Sequence, residues 1–261
     1  MVFVVVLYGA WLLTLAVFQE RLIFPGMTMR TADDALPRPD FVERFWIETP
    51  EGTRTEAWFI PGRGITPTTP GPLVVFSHGN AERIDDYPYL LTPYTEWGFS
   101  ILLVEFRGFG RSTGTPGQAA LTADIVAAFD RVVARPEVDA SRVLLHGRSI
   151  GGAVIAQLAA RRPSAAMILE SSFTNLGSFA WRYGAPPLLL RHPFRTDRVV
   201  ATYDRPLLLF HGTRDSIVPL SHARKLHRLA PQSKLITADA GHNDFPPDEQ
   251  SYWREIEQFL R

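Results

Sequence analysis

Ser149 lies between Gly147 and Gly151 in "LLHGRSIGGAVIAQL", residues 144–158, where an apolar run meets a stretch of helical periodicity. A serine held at a tight strand-to-helix turn tolerates no bulky neighbour two places to either side, so glycines there push its hydroxyl outward. The same turn sets the hydroxyl at a helix N-terminus, where free amides and the dipole favour developing negative charge. The chemistry this suits is nucleophilic attack by a serine. Taken alone, G-x-S-x-G also fits a plain serine cap in a glycine-rich turn.

A serine hydroxyl attacks only when a base removes its proton, and that base must itself be oriented by a carboxylate. Of the seven histidines, His242 in "DAGHNDF" follows the last apolar run and sits in a short polar loop, which makes it the expected base. His146, His192, His222 and His227 read as structural or surface residues, because they precede the serine turn or fall in the insertion and helix-like segments. Asp215, in "LLLFHGTRDSIVP", follows the run 207–210 and is the expected acid, giving the chain order Ser, Asp, His. Glu170 in "MILESSFTN" is the rival acid, and otherwise a hydrogen-bonding partner inside the site. Asp239 and Asp244 stand too near His242 in sequence for side-on geometry and read as loop residues.

Two backbone amides must converge on the developing oxyanion. Ile150 supplies one, and the turn at "SHGNAER" supplies the other through Asn80, with Ala81 as the next candidate. Arg107 in "FRGFGRSTG" reads as an arginine bracing loops that Gly108, Gly110 and Gly114 make tight, against the alternative of a substrate contact. Arg148 faces either a carboxylate such as Glu170 or solvent.

Short, nearly continuous apolar runs must carry these groups: 73–76, 101–104, 143–145, 167–169, 207–210 and 234–237. Such runs fit strands buried on both faces. "FVERFWIET" and "TEAWFIP" flank "PEGTR" as an antiparallel hairpin would. Helical periodicity is clearest over 119–135 and 153–162. The alternation predicts an α/β fold, a mostly parallel sheet covered by helices on both faces, with ligands bound outside the carboxyl ends of its strands. Between Ser172 and Arg205, aromatics, prolines and a leucine run replace the strand pattern, predicting a small insertion over the sheet.

Lys plus Arg and Asp plus Glu number 27 each, so charge gives no reason to expect nucleic acid. The absence of cysteine excludes disulfides, zinc-thiolate sites and a thiol nucleophile. Val2 to Phe18 is about 17 uncharged, mostly apolar residues, near the lower limit of a membrane-spanning helix. The start has neither the basic region nor the cleavage site of a signal peptide, so an uncleaved single-pass anchor is expected. The alternative is an apolar helix packed on the domain or on a partner subunit. Arg21 and Arg30 after the segment favour a cytoplasmic catalytic domain.

In this order, "SHGNA", "FRGFGRSTG", "HGRSIGG", "ESSFTN", "HGTRDSIVP" and "GHNDF" resemble the α/β-hydrolase superfamily, and more narrowly its abhydrolase-domain serine hydrolases with an N-terminal membrane anchor. "FQERLIFPG" after the apolar segment is similar to that group too. The resemblance covers nearly the whole chain and implies an α/β-hydrolase fold, with a central sheet of about eight strands and a small cap. It implies Ser149 as nucleophile, Asp215 as acid, His242 as base and the amides of Asn80 and Ile150 as the oxyanion hole, with no cofactor and no metal. Epoxide hydrolases and dehalogenases of the same fold carry an aspartate where Ser149 stands.

The expected organisation is an anchor over 1–20, a linker over 21–40 and a hydrolase domain over 41–261 with its cap at about 172–205. The apolar residues around Trp181 and Leu188 to Leu190 point to an acyl ester or thioester, from a lipid or an acylated protein. Small-peptide or amide substrates, or a catalytically silent membrane-tethered binding protein, are the alternatives.

Overall fold

The computed structural model describes residues 1–29 and 38–261. The expected linker residues 30–37 lie outside the described residues. Among those described, eight strands form one sheet: β1 (Glu43–Glu48), β2 (Arg54–Ile60), β3 (Gly71–Ser77), β4 (Ser100–Val104), β5 (Val138–Arg148), β6 (Ala166–Glu170), β7 (Leu207–Gly212) and β8 (Ser233–Ala238). Their spatial order is β1-β2-β4-β3-β5-β6-β7-β8. The hairpin β1–β2 is antiparallel and joins β4 antiparallel, and every other pairing is parallel. This is the mostly parallel α/β sheet expected from the apolar runs.

The runs are apolar throughout because both faces are covered. Side chains alternate along a strand, so Leu73, Val75, Leu102, Leu145, Leu169 and Leu209 enter one buried cluster. Their neighbours Val74, Phe76, Leu103, Leu144, Ile168 and Phe210 enter the other. The first face is covered by α4 (Gln118–Val133) and α5 (Ile150–Ala159), which follow α1 (Val2–Val17), α2 (Gln19–Ile23) and α3 (Thr92–Glu96) in the chain. Leu121, Ile125, Phe129 and Val132 of α4 recur at helical spacing on that face. The second face takes Tyr94 of α3. It also takes Tyr252 and Ile256 of α9 (Glu249–Leu260), which follows α6 (Gly177–Ala180), α7 (Thr196–Val200) and α8 (Ser221–Leu229).

The expected membrane anchor requires correction. No helix among the described residues is long and apolar enough to cross a membrane. The 16 residues of α1 reach about 24 Å at 1.5 Å per residue, short of the roughly 30 Å hydrocarbon core. This helix and α2 contact the insertion between β6 and β7. Tyr8 Oη donates to the Gly184 carbonyl at 2.7 Å, Trp11 Nε1 to that of Tyr183 at 2.9 Å, and Gln19 Nε2 to that of Leu189 at 3.1 Å. Residues 21–29, expected as linker, belong to the fold as well. Phe24 is fully buried, edge-on to His192 and Phe194.

Candidate active site

Ser149 is the single residue between β5 and α5, with φ 54° and ψ −119°. A side chain in that region strains the backbone by about 1–3 kcal/mol, a cost that persists only where surroundings enforce it. Here the enforcement is close backbone approach. A Cβ on Gly147 would lie 2.5 Å from the Gly151 carbonyl oxygen, and one on Gly151 would lie 2.1 Å from that of Ser77. The Ser149 amide donates to the Glu170 carbonyl at 2.7 Å, and Ser172 Oγ donates to the Ser149 carbonyl at 2.9 Å, closing the turn from the β6 side.

His242, in the loop after β8, and Asp215, in the loop after β7, meet Ser149 at the carboxyl ends of adjacent strands. His242 Nε2 lies 3.0 Å from Ser149 Oγ, and Nδ1 lies 2.7 Å from Asp215 Oδ2. Asp215 Oδ1 accepts the amides of Ile217 at 2.9 Å and Val218 at 2.7 Å. Burial by itself would raise the Asp215 carboxyl, but the His242 contact, the Val218 amide and the two nearby histidines hold it below the ordinary carboxylate range. An ionised acceptor at Nδ1 keeps the proton there and leaves Nε2 free to accept from the serine hydroxyl.

The remaining candidates separate cleanly. Asp239 pairs with Arg214 at 2.6 Å, and Asp244 accepts the Gly241 amide at 2.8 Å. His146 is fully buried between Tyr94 and Tyr252, and burial lowers its imidazole to about 3. His192 pairs with Glu20, His222 contacts Thr174, and His227 contacts Ser233. Arg107 braces loops as expected: its Nε and Nη2 grip the Asp124 carboxylate. Among the described residues no cluster of three His, Asp or Glu side chains has metal-holding geometry.

Glu170 is buried away from His242 Nδ1. Its Oε2 accepts from Tyr252 Oη at 2.8 Å, while Oε1 lies 3.2 Å from Arg148 Nε without hydrogen-bond alignment. Arg148 therefore faces carboxylates rather than solvent: Nη1 is 3.0 Å from Glu82 Oε1, and Nη2 donates to the His242 carbonyl at 2.9 Å. Sequence reasoning did not single out Glu82, although it lies inside "SHGNAER". Its Oε2 accepts the Gly79 amide and Tyr87 Oη, both at 2.5 Å. His78 and Glu105 were missed likewise. They form a fully buried pair at 2.8 Å beneath the Gly79–Asn80 turn. His211, 3.4 Å from Asp215 Oδ2, was the fourth omission.

Ser149 and His242 open on a cavity of about 920 Å³. Asn80, Ala81 and Ile150 border it beside the serine, and Phe173, Phe179, Leu190, Ile217 and Val218 extend it as an apolar chamber.

The chain is similar to known proteins in sequence and in fold. A family profile described as serine aminopeptidase, S33, matches residues 68–194, and one described as TAP-like protein matches residues 190–261. The chain is 32% identical over 221 residues to YfhR of Escherichia coli K12, covering 81% of this chain and 78% of YfhR. It is 29% identical over 275 residues to the alpha/beta hydrolase domain-containing protein WAV2 of Arabidopsis thaliana, covering 94% of this chain and 88% of WAV2. The Pyrococcus furiosus esterase Pf2001 is similar in fold, with a TM-score of 0.67 at 19% identity over 84% of this chain and 89% of the esterase.

Proposed function

The chain belongs to the α/β-hydrolase superfamily, in the family that includes YfhR, and is a serine hydrolase; from that premise we propose that it cleaves carboxylic ester or thioester bonds of apolar acyl substrates. The observation that carries the reading is the line from Ser149 Oγ through His242 to Asp215, at 3.0 and 2.7 Å, opening on an apolar chamber.

In the proposed reaction Ser149 Oγ attacks the acyl carbonyl carbon while His242 Nε2 takes the hydroxyl proton. The amides of Asn80 and Ile150 receive the oxyanion. Collapse of the intermediate breaks the bond to the alcohol or thiol, which leaves with the proton from His242. A water, deprotonated by His242, then attacks the acyl-enzyme and releases the acid and free Ser149. Asp215 stays ionised and stabilises the imidazolium formed at each step.

A second reading, an aminopeptidase, is favoured by the profile matched over residues 68–194. Such an enzyme needs a free carboxylate to take the substrate's amino group. Glu82 borders the chamber, but its oxygens already accept from Gly79 and Tyr87 and pair with Arg148. The ester reading is preferred on that ground. A fluorophosphonate probe is expected to label the wild type and not Ser149→Ala. A folded wild type that resists the probe would overturn the mechanism, and turnover of aminoacyl amides without turnover of esters would favour the peptidase.

A further inference from the structure

Leu12, Leu15, Ala16, Gln19, Leu22 and Ile23 recur at helical spacing along α1 and α2, and all six line the same cavity as Ser149 and His242. One face of the N-terminal helices is thus a wall of the candidate active site. On the other face, Leu13, Val17 and Phe18 are exposed, whereas Leu12, Leu15 and Ala16 are half-buried.

The wall is fastened at several points. Gln19 is buried; its Nε2 donates to the Leu189 carbonyl and its Oε1 accepts the Arg191 amide at 2.6 Å. Arg191 Nη2 donates to the Ala16 carbonyl and to Glu20 Oε2, each at 2.7 Å. At the lower end, Asn80 Nδ2 donates to the Ile23 carbonyl at 2.5 Å. A Cβ on Gly26 would lie 2.5 Å from the Asn80 carbonyl oxygen, so the segment after α2 abuts the turn beside Ser149 directly.

We propose that this helical face is the acyl-chain subsite, selecting long linear chains over short ones and holding them between α1–α2 and the insertion between β6 and β7. The proposal rests on the ester-hydrolase reading and deepens it. The chemistry of the walls fits the occupant: Leu12, Leu15 and Leu22 face a chamber completed by Phe179, Leu189 and Ile217. At about 920 Å³ the chamber sits near the top of the usual range for ligand pockets, roughly 300–1,000 Å³. An acetyl group would leave nearly all of it unfilled. Each additional buried methylene is worth about fourfold in binding, so the helices act on specificity in proportion to chain length.

The test compares kcat/KM for p-nitrophenyl dodecanoate and acetate in the full chain. Wild type is expected to favour the dodecanoate. Leu15→Trp, which fills the chamber from the wall, is expected to lower the dodecanoate-to-acetate ratio at least about tenfold, as loss of roughly two buried methylenes requires. Ala16→Phe does the same from the next position and serves if Leu15→Trp does not fold. Leu13→Trp, at an exposed position of the same helix that does not line the cavity, should leave the ratio within about twofold of wild type. A ratio unmoved by both wall variants, or moved equally by Leu13→Trp, overturns the subsite while leaving the hydrolase reading intact. Failure of wild type to hydrolyse either ester or to react with a fluorophosphonate would overturn both.

Discussion

The guanidinium of Arg148 lies 3.0 Å from the carboxylate of Glu82, joining the residue before Ser149 to the loop that carries Asn80. The same side chain reaches Glu170 at 3.2 Å and the His242 carbonyl at 2.9 Å, so one cation ties the Glu82 loop and the His242 loop to the end of β6. Removing a buried partner leaves the other charges uncompensated, which costs about 3–5 kcal/mol. Arg148→Met is expected to lose that much stability in denaturant melts. Because displacement of catalytic groups by about 1 Å costs about a hundredfold, kcat/KM on a short ester should fall by a similar factor. Adding Glu170→Gln to Arg148→Met, which removes one stranded carboxylate, should recover part of the stability. No recovery would show that Glu170 does not depend on Arg148 for its charge.

Asp215 and Glu170 are distinguished by what each touches. Asp215 meets His242 Nδ1, whereas Glu170 meets Tyr252 and Arg148. Asp215→Asn replaces an acceptor by an amide that favours the wrong imidazole tautomer, and kcat should fall on the order of 10⁴-fold. Glu170→Gln keeps an acceptor for Tyr252 and should retain most turnover. Steady-state kinetics on one ester decides the matter, and the reverse ranking would assign the acid to Glu170.

Gly151 is required by contact, since an added Cβ would lie 2.1 and 2.3 Å from the carbonyl oxygens of Ser77 and His78. Backbone atoms cannot rotate away, so Gly151→Ala must push α5 from β3. A loss of roughly 3 kcal/mol, at the upper end for overpacking, is expected in thermal or urea melts. Gly9→Ala is the comparison: nothing lies within 4 Å of its added Cβ. It should be neutral or stabilising by up to about 1 kcal/mol. Equal effects at the two positions would refute the steric account.

The strands were legible because burial on both faces makes a run apolar without alternation, as at Leu207 to Phe210. The three groups of the Ser149 line were legible because each follows such a run. The start of α5 was not, since Ile150-Gly151-Gly152 reads as a turn by propensity, while the structure needs glycine there for close approach. The N-terminal helices were misread for a different reason. Hydropathy records how much apolar surface a segment has, not what covers it: no residue of α1 is buried, while Gln19, at helical spacing from Leu12, Leu15 and Ala16, is buried against the insertion. Glu82 and Arg148 meet only through the packing of distant segments, which no local pattern encodes.

His78 carries the fourth prediction. Its Nδ1 faces the Gly79 carbonyl and its Nε2 faces Glu105 Oε1, both at 2.8 Å, so each ring nitrogen meets an acceptor, an arrangement that favours the imidazolium. Glu105 is held ready for it: Oε1 also accepts the Phe106 amide, and Oε2 accepts that of Ile84. Burial by itself would lower the imidazole, but the charge of Glu105 and its hydrogen bond raise it above the ordinary 6.5. A folded value above the unfolded one means that the charged ring adds stability below about pH 6.5 and loses it as pH rises through the raised value. The difference in unfolding free energy between wild type and His78→Asn should therefore be largest in mildly acidic buffer and shrink toward alkaline pH. Urea melts across pH 5 to 9 measure it, and a difference that grew with pH would mean that the folded pair binds no extra proton and that the ring is neutral.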